Sequence, residues 1–279
     1  MTLSELIQNS LTEDIGAGDH SSLAAIPENA QGKMKLLAKE NGIIAGIDVA
    51  KEVLRQVDSS ISMKCLKKDG DDIKIGDVVF ELEGSARNML TAERTLLNFL
   101  QRMSGIATVS KKYADAVKGT KTKILDTRKT TPNLRELEKY AVKIGGSENH
   151  RFGLYDMIML KDNHIDFSGG IEKAIDATHE YFEKNGLNLK IEIETRTLEE
   201  VKRVIKHGKI DRIMLDNFTP ARIEEALQLI NGKYETEASG GITLQNIKEY
   251  AQTGVDYISI GALTHHIKSL DLSLKFSAL

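Results

Sequence analysis

The residues of this chain best equipped for chemistry recur at one kind of place, directly after a short apolar run. Lys123–Asp126 leads into Thr127, Arg128 and Lys129, and Met157–Leu160 into Lys161, Asp162, Asn163 and His164. Leu189–Ile193 is followed by Glu194, and Arg212–Leu215 by Asp216 and Asn217. Tyr234–Ala238 is followed by Ser239, Gly240 and Gly241, and the run from Tyr257 closes on Ser259, Ile260 and Gly261. The cations form the densest set: Arg128, Lys129, His150, Arg151, Lys161 and His164, with Arg135 a candidate addition. A charge run is ordinarily a solvated face. That reading weakens here, because the charges follow apolar runs or the Gly145-Gly146 loop, not the outward face of a helix. Guanidinium forks and ammonium groups together suit a ligand with two or more carboxylates, or a pyrophosphate. Lys161 alone would also serve as a Schiff-base lysine, but its cationic neighbours point to anion binding.

Glu194 and Asp216 are the acidic counterpart. As ion-pair partners they would be ordinary. Facing a diphosphate they suit Mg2+, a hard cation that takes oxygen ligands and keeps several waters. They could equally hold ribose hydroxyls or stabilise a cationic sugar. Glu192 shares the face of Glu194, two residues deeper along a strand. Ser239-Gly240-Gly241 runs straight toward Thr243 and a helix, and Ser259-Ile260-Gly261 is built alike. Glycine lets backbone approach a ligand, and free N–H groups at a helix start bind phosphate. Tight turns alone would explain one such segment, but two in succession favour a phosphate site. His265-His266 reads as surface, since neighbours on a strand point apart.

What must position these groups is an alternation of strands and helices. The six apolar runs are separated by helical patterns at Leu134/Leu137/Ala141/Ile144, Ile171/Ala174/Ile175, Val201/Val204/Ile205, Ile223/Ala226/Leu227/Ile230 and Ile247/Tyr250/Ala251. Repeated strand–helix units predict parallel strands with right-handed crossovers. A doubly wound sheet concentrates its site at a switch point. Here every strand end is loaded, which is the barrel pattern. Six units fall short of eight, so the barrel is open or one strand is hidden. Before Lys121 the texture is mixed α+β. Thr2 and Glu5 fit a capping box ahead of Leu3, Ile7 and Leu11, strands are expected at Lys33–Lys39, Gly42–Gly46, Ile61–Leu66 and Val78–Leu82, and Asp48 caps a helix with Ala50, Val53, Leu54 and Val57. A long helix carries Ala92, Leu96, Leu100 and Met103 and pauses at Ser104-Gly105 on its way between domains.

The chain has 279 residues, 41% of them hydrophobic and 28% charged, enough for a full core and against disorder. A net charge of −3 offers nucleic acid or an acidic membrane no general attraction. No apolar run approaches the roughly 18–20 residues of a membrane span, and Met1–Leu11 lacks a signal-peptide pattern, so a cytoplasmic protein is expected. The single Cys65 excludes an intrachain disulfide and a thiolate zinc cluster, and its alternating surroundings favour a structural role as a small hydrophobe over that of a nucleophile.

In order along nearly the whole chain, Glu93–Asn98 running into Ser104–Thr108, Thr127–Pro132, Glu138–Val142, Asn149-His150-Arg151, Lys161–His164, Leu215–Phe218, Glu237–Ile242 and Ile258–Thr264 resemble the quinolinate phosphoribosyltransferase family. The resemblance implies an N-terminal α/β sandwich domain, residues 1–104, with 266–279 returning to it, and an open α/β barrel over 105–265. It implies phosphoribosyl transfer from phosphoribosyl pyrophosphate to quinolinate with decarboxylation, giving nicotinate mononucleotide for NAD synthesis. Arg128, His150, Arg151 and Lys161 match quinolinate contacts, with Arg94 entering from a partner subunit of a homodimer, and Lys129 lies between the two substrates beside Thr127. Glu194 and Asp216 match the ribose and Mg2+ side, and Ser239–Gly241 and Ser259–Gly261 the 5′-phosphate site. Lys129, Lys161, Glu194 and Asp216 are the catalytic candidates. Asn133 and Ser147 depart mildly from the pattern, and Asn is the next best residue after glycine for a positive φ. Competing readings are a molybdenum-transport-associated relative of the same fold and a Schiff-base barrel aldolase using Lys161.

Overall fold

The computed structural model describes residues 1–277. At its start Thr2 and Glu5 exchange side-chain and backbone hydrogen bonds, closing a capping box on α1 (Leu3–Ile15), whose Ile7 and Leu11 are buried. There follow α2 (His20–Ala25), β1 (Gln31–Ala38), β2 (Gly42–Ile43), α3 (Ile47–Val57), β3 (Ser62–Cys65), β4 (Asp72–Ile73), β5 (Val78–Ser85) and α4 (Ala86–Ala116). Helix α3 is capped differently from expectation. Asp69, not Asp48, accepts from the N–H groups of Gly46 and Ile47, which leaves Asp48 to pair with Lys51.

Helix α4 runs unbroken through Ser104-Gly105, where the sequence suggested a pause. Both residues are there for close packing. The Ser104 hydroxyl accepts from the Ala45 N–H at 3.0 Å and is fully buried. A Cβ on Gly105 would overlap the Lys268 carbonyl oxygen. Cys65 is another correction: it is exposed on β3 and does not act as a core residue.

The second half continues with β6 (Lys123–Leu125), α5 (Arg135–Ile144), β7 (Ile158–Leu160), α6 (Asp162–Ser168), α7 (Ile171–Asn185), β8 (Ile191–Thr195), α8 (Leu198–His207), β9 (Arg212–Asp216), α9 (Pro220–Ile230), β10 (Glu235–Ser239), α10 (Ile247–Gln252), β11 (Tyr257–Ser259), α11 (Ala262–His265) and β12 (Leu272–Ser277). His265 and His266 are exposed as expected, but they sit at the end of α11 and just after it with their rings 4.3 Å apart and do not diverge along a strand.

Two units result. The first takes residues 1–111, 130–146 and the chain from Leu263 onward, so it draws in α5, which a boundary at residue 105 assigns to the barrel. Its four-stranded sheet is antiparallel about β1 and β5, in the order β12-β1-β5-β3, with Leu36 opposite Leu274 and Phe80. The C-terminal strand thus completes the first unit's sheet. The second unit, 112–129 and 147–262, holds a parallel sheet in the order β6-β11-β10-β9-β8-β7, and no ladder joins β7 to β6 among the described residues. The barrel is therefore open. No described helix is long and apolar enough to cross a membrane.

Candidate active site

Parallel strands in register turn a period of two into a shared inner face. Glu192 stands opposite Met159 and Arg212, Glu194 opposite Met214, and Met214 opposite Glu237. Asp216 is level with Ser239, and Glu237 with Tyr257. The inward positions therefore read Met159 and Lys161 on and after β7, Glu192 and Glu194 on β8, Arg212, Met214 and Asp216 on β9, and Glu237 and Ser239 on β10. Functional groups collect at the C-terminal ends, as barrel geometry requires.

There they line a cavity of about 350 Å3 that holds Thr127, Arg128, Lys129, His150, Arg151 and Lys161, with Ser239 and Ser259 on its wall. Hydrogen bonds brace the segments that carry His150, Arg151 and Lys129. The Asp126 carboxylate, fully buried, accepts the His150 N–H at 2.8 Å, while Asp126 N–H donates to the Glu148 carbonyl. Asp156 accepts from the N–H groups of Phe152 and Gly153, forming the turn after Arg151, and Arg151 Nη1 donates to the Met157 carbonyl at 3.2 Å. The Thr127 hydroxyl accepts from the Lys129 N–H at 3.1 Å. Thr131, next in that loop, donates its N–H to Glu138, which also binds Arg102 at 2.7 Å. Asn133 takes the positive φ, 67°, that its type tolerates.

Burial and the neighbouring charge of Arg128 together hold the Arg151 guanidinium below its usual range. Two like charges brought together in a half-buried cavity store repulsion that an anion relieves. Arg135 does not line this cavity; its Nε donates to the Thr130 hydroxyl within the first unit. His164 lies outside it too, in an apolar depression with Phe167 and Tyr181, and accepts from the Lys161 N–H.

Glu194 is buried and pairs with Lys161 Nζ at 3.2 Å. Asp216, half-buried, accepts from the Asn217 amide at 2.7 Å. Asn217 adopts φ 56° and leans on Gly240, where any Cβ would overlap its side-chain oxygen. Gly240 therefore does more than admit a ligand: its lack of a side chain keeps Asn217, and through it Asp216, in place. Gly240→Val is expected to raise the Michaelis constant for the phosphorylated substrate and also to lower kcat at least tenfold. Steady-state kinetics would show a pure Michaelis effect if Asn217 is unimportant.

The glycine segments divide. Gly241, at φ 65°, is exposed and faces open space. Helix α10 begins only at Ile247, after a turn in which Asn246 accepts from Thr243 N–H, so Gly240-Gly241 does not lead directly into a helix start. Ser259 is buried and its hydroxyl donates to Glu237, while the Ile260 N–H is taken by the Leu125 carbonyl at 2.9 Å. Gly261, the last residue of the second segment, is half-buried.

Beneath the cavity lies a cluster that motif reading passed over. Glu192 and Glu237 are fully buried, and His150 Nε2 is 3.0 Å from one and 3.2 Å from the other. Arg212 Nη1 reaches Glu237 at 3.1 Å, and the guanidinium carbon rests over the Tyr257 ring at 4.0 Å. Burial, then the charge of Glu237, raise Glu192 to about 7; Glu237, equally buried, is held low by His150, Ser259 and Arg212. The signal was available: charged residues two apart, Glu192/Glu194 and Glu235/Glu237, in strands otherwise buried. His150, Glu192 and Glu237 have the ligand types of a metal site, but the Glu237 oxygen that faces His150 is already taken by Arg212 Nη1 at 3.1 Å.

A larger depression of about 930 Å3 opens at the other ends of the strands. Two of its three lysines are matched by carboxylates, Lys121 to Asp256 at 2.7 Å and Lys190 to Glu235 at 3.6 Å, and the third, Lys233, rests over the Tyr234 ring at 5.2 Å, so it lacks the clustered cations of the cavity.

Residues 19–104 match the model of the quinolinate phosphoribosyl transferase N-terminal domain and residues 106–275 that of its C-terminal domain. The chain belongs to the quinolinate phosphoribosyltransferase family. It is 46% identical to quinolinate phosphoribosyltransferase [decarboxylating] 2, mitochondrial, of Nicotiana glauca, over 98% of this chain and 82% of that one. It is 43% identical to the probable nicotinate-nucleotide pyrophosphorylase [carboxylating] of Bacillus subtilis strain 168, over 98% and 93%. The crystal structure of NadC from Streptococcus pyogenes superposes with a TM-score of 0.93 at 41% identity, covering 99% of this chain and 97% of the other. Membership in this family sets aside the aldolase and the molybdenum-associated readings.

Proposed function

We infer that the chain is a pentosyltransferase that moves phosphoribosyl from phosphoribosyl pyrophosphate to the ring nitrogen of quinolinate and releases pyrophosphate and CO2, leaving nicotinate mononucleotide. The observation that carries this reading is the pair of guanidiniums, Arg128 and Arg151, set against each other in one cavity with His150 and Lys161. A pyridine with two adjacent carboxylates relieves that repulsion and is fixed in plane by the forks. Lys129 stands between this end and the phosphoribosyl end. Glu194 and Asp216 face the sugar, where positive charge grows as pyrophosphate leaves. Once the nitrogen is alkylated and cationic, the C2–carboxylate bond breaks with its electron pair left on C2, and a proton replaces CO2. Cation contacts that hold the ring suffice for this step.

The oxygen donors of Glu194 and Asp216, on adjacent strands of one inner face, fit Mg2+ directly or through water, and the ion would neutralise charge on the departing diphosphate. Gly240 and Gly241 supply the backbone approach for the 5′-phosphate. A homodimer with shared sites, and with room for higher assembly, is part of the proposal. Arg94 is exposed on α4, and Leu154, Tyr155 and Phe167 are 69%, 71% and 93% exposed beside the open strand β7, the kind of apolar patch a partner covers. Cytoplasmic location is proposed with it; the tobacco-genus relative is named as mitochondrial.

Incubation with quinolinate, phosphoribosyl pyrophosphate and Mg2+ tests the reading, with CO2 and nicotinate mononucleotide as readouts. Nicotinate, with one carboxylate, leaves the cations under-paired and should be used at least a hundredfold less efficiently. Equal kcat/KM for the two acids would make the enzyme a nicotinate phosphoribosyltransferase instead.

A further inference from the structure

Glu192, Glu237 and Arg212 come from three neighbouring strands, each from an inward position below the groups assigned to substrate. Glu192 and Glu237 are 0% exposed and Arg212 8%. One Glu237 oxygen is shared, 3.2 Å from His150 Nε2 and 3.1 Å from Arg212 Nη1, and Arg212 Nη1 is also 3.7 Å from Glu192. The outer side of Arg212 is held by Glu235 at 3.1 Å and by the Tyr257 ring. Buried charges persist only where opposite charges and hydrogen bonds match them. With Glu192 and Glu237 both ionised, a neutral imidazole leaves two carboxylates facing one guanidinium and the cluster with an uncompensated negative charge. With an imidazolium it balances.

The remaining groups around His150 act in both directions. Asp126 accepts its backbone N–H, and the Ser259 hydroxyl bonds Glu237. Arg128 and Arg151 stand toward the cavity, and the Arg151 N–H donates to His150 Nδ1 at 2.6 Å, a contact that suits the neutral ring. Two carboxylates at the opposite nitrogen outweigh one amide dipole. Burial pulls the His150 value down, but hydrogen bonding to Glu192 and Glu237 lifts it to about 9. The Nδ1 proton of the cation and the Arg151 amide contact are alternatives, so the ring that takes up this proton releases the amide and gains a donor for a ligand.

We propose that Glu192, Glu237 and Arg212 are positioning residues that hold His150 as an imidazolium under the cavity, adding a cation that the bound dicarboxylate meets besides Arg128 and Arg151. Arg212 keeps Glu237 ionised, and Glu237 keeps His150 charged and its ring plane fixed. This rests on the reading of the cavity as the dicarboxylate site. A merely structural cluster would stabilise the barrel without setting how substrate affinity depends on pH.

The test begins with the ligand-free wild-type protein. Histidine NMR, with the His150 signal assigned by its loss in His150→Gln, should give a titration midpoint near 9. A midpoint at or below the ordinary 6.5 overturns the proposal whatever the substrate is. The linkage sign is definite: a raised value adds stability that is complete below 6.5 and lost as pH climbs through about 9, so wild type should lose more thermal stability over that window than His150→Gln. Glu237→Gln, nearly isosteric, should lower the midpoint by about two units and so raise the Michaelis constant for quinolinate about tenfold at pH 8. That for phosphoribosyl pyrophosphate should stay within about twofold. If Glu237→Gln does not fold, Glu237→Gln with Arg212→Met removes opposite charges together and is read the same way. An unchanged midpoint and unchanged pH profile in the folded variant would reduce the cluster to a structural one. A shifted midpoint without an effect on quinolinate would overturn the dicarboxylate assignment and leave the held cation standing.

Discussion

Arg128→Lys is expected to lose nearly as much activity as Arg128→Ala. The argument turns on geometry, not charge. A guanidinium presents two parallel N–H donors to a carboxylate and fixes the plane of the ring that bears it, whereas an ammonium is a point charge on a flexible stem. The cavity makes that difference costly, because Arg128 sits half-buried beside Arg151, whose own guanidinium is held low by burial and by Arg128. Removing one partner of a desolvated charge pair costs about 2–4 kcal/mol, which is roughly 30- to 1,000-fold in kcat/KM. Lysine would keep the repulsion against Arg151 without restoring two-point contact. Side-by-side kinetics of the two variants decide it. Near-normal kcat/KM for the lysine variant would mean that a positive charge at this place is sufficient and that the plane of the ring is set elsewhere.

Periodicity carried much of this architecture. The strands loaded at their C-terminal ends were readable because apolar runs of three to five residues end abruptly in charge, and the register of β8, β9 and β10 places those ends on one face. What a linear reading misses is contact across strands. Arg212 opens the apolar run Arg212–Leu215 and Glu237 lies inside Tyr234–Ala238, and neither carried a role in a linear reading. Only lateral pairing shows Glu237 joining Arg212 to His150. The same holds for Ser259, whose type suits phosphate but whose hydroxyl is turned to Glu237. Ser104-Gly105 misled for a related reason. A serine and a glycine in a helix signal a break by propensity, yet here tertiary contacts with Ala45 and Lys268 need a small residue and a hydroxyl, and packing overrides propensity. Short helices such as α6 and α2 escaped because six or seven residues are too few to display a period.

Two individually inactive variants, Arg94→Ala and Lys161→Ala, are expected to regain roughly a quarter of wild-type activity when unfolded together and refolded as a mixture. Arg94 belongs to helix α4 of the first unit and is exposed there, with no described partner. Lys161 follows β7 in the second unit and lines the cavity. If Arg94 acts across a two-fold dimer, a mixed dimer contains one site with both substitutions and one with neither, the latter built from Lys161 of one chain and Arg94 of the other. Random pairing makes half of the dimers mixed, and each has one of two sites intact. Neither variant alone can assemble an intact site, because both copies carry the same lesion. Refolded wild type sets the scale, and measuring assembly size in the same samples separates failed pairing from failed complementation. A mixture that forms dimers as wild type does but stays inactive would place Arg94 in the site of its own chain, and the shared-site reading would fall with it.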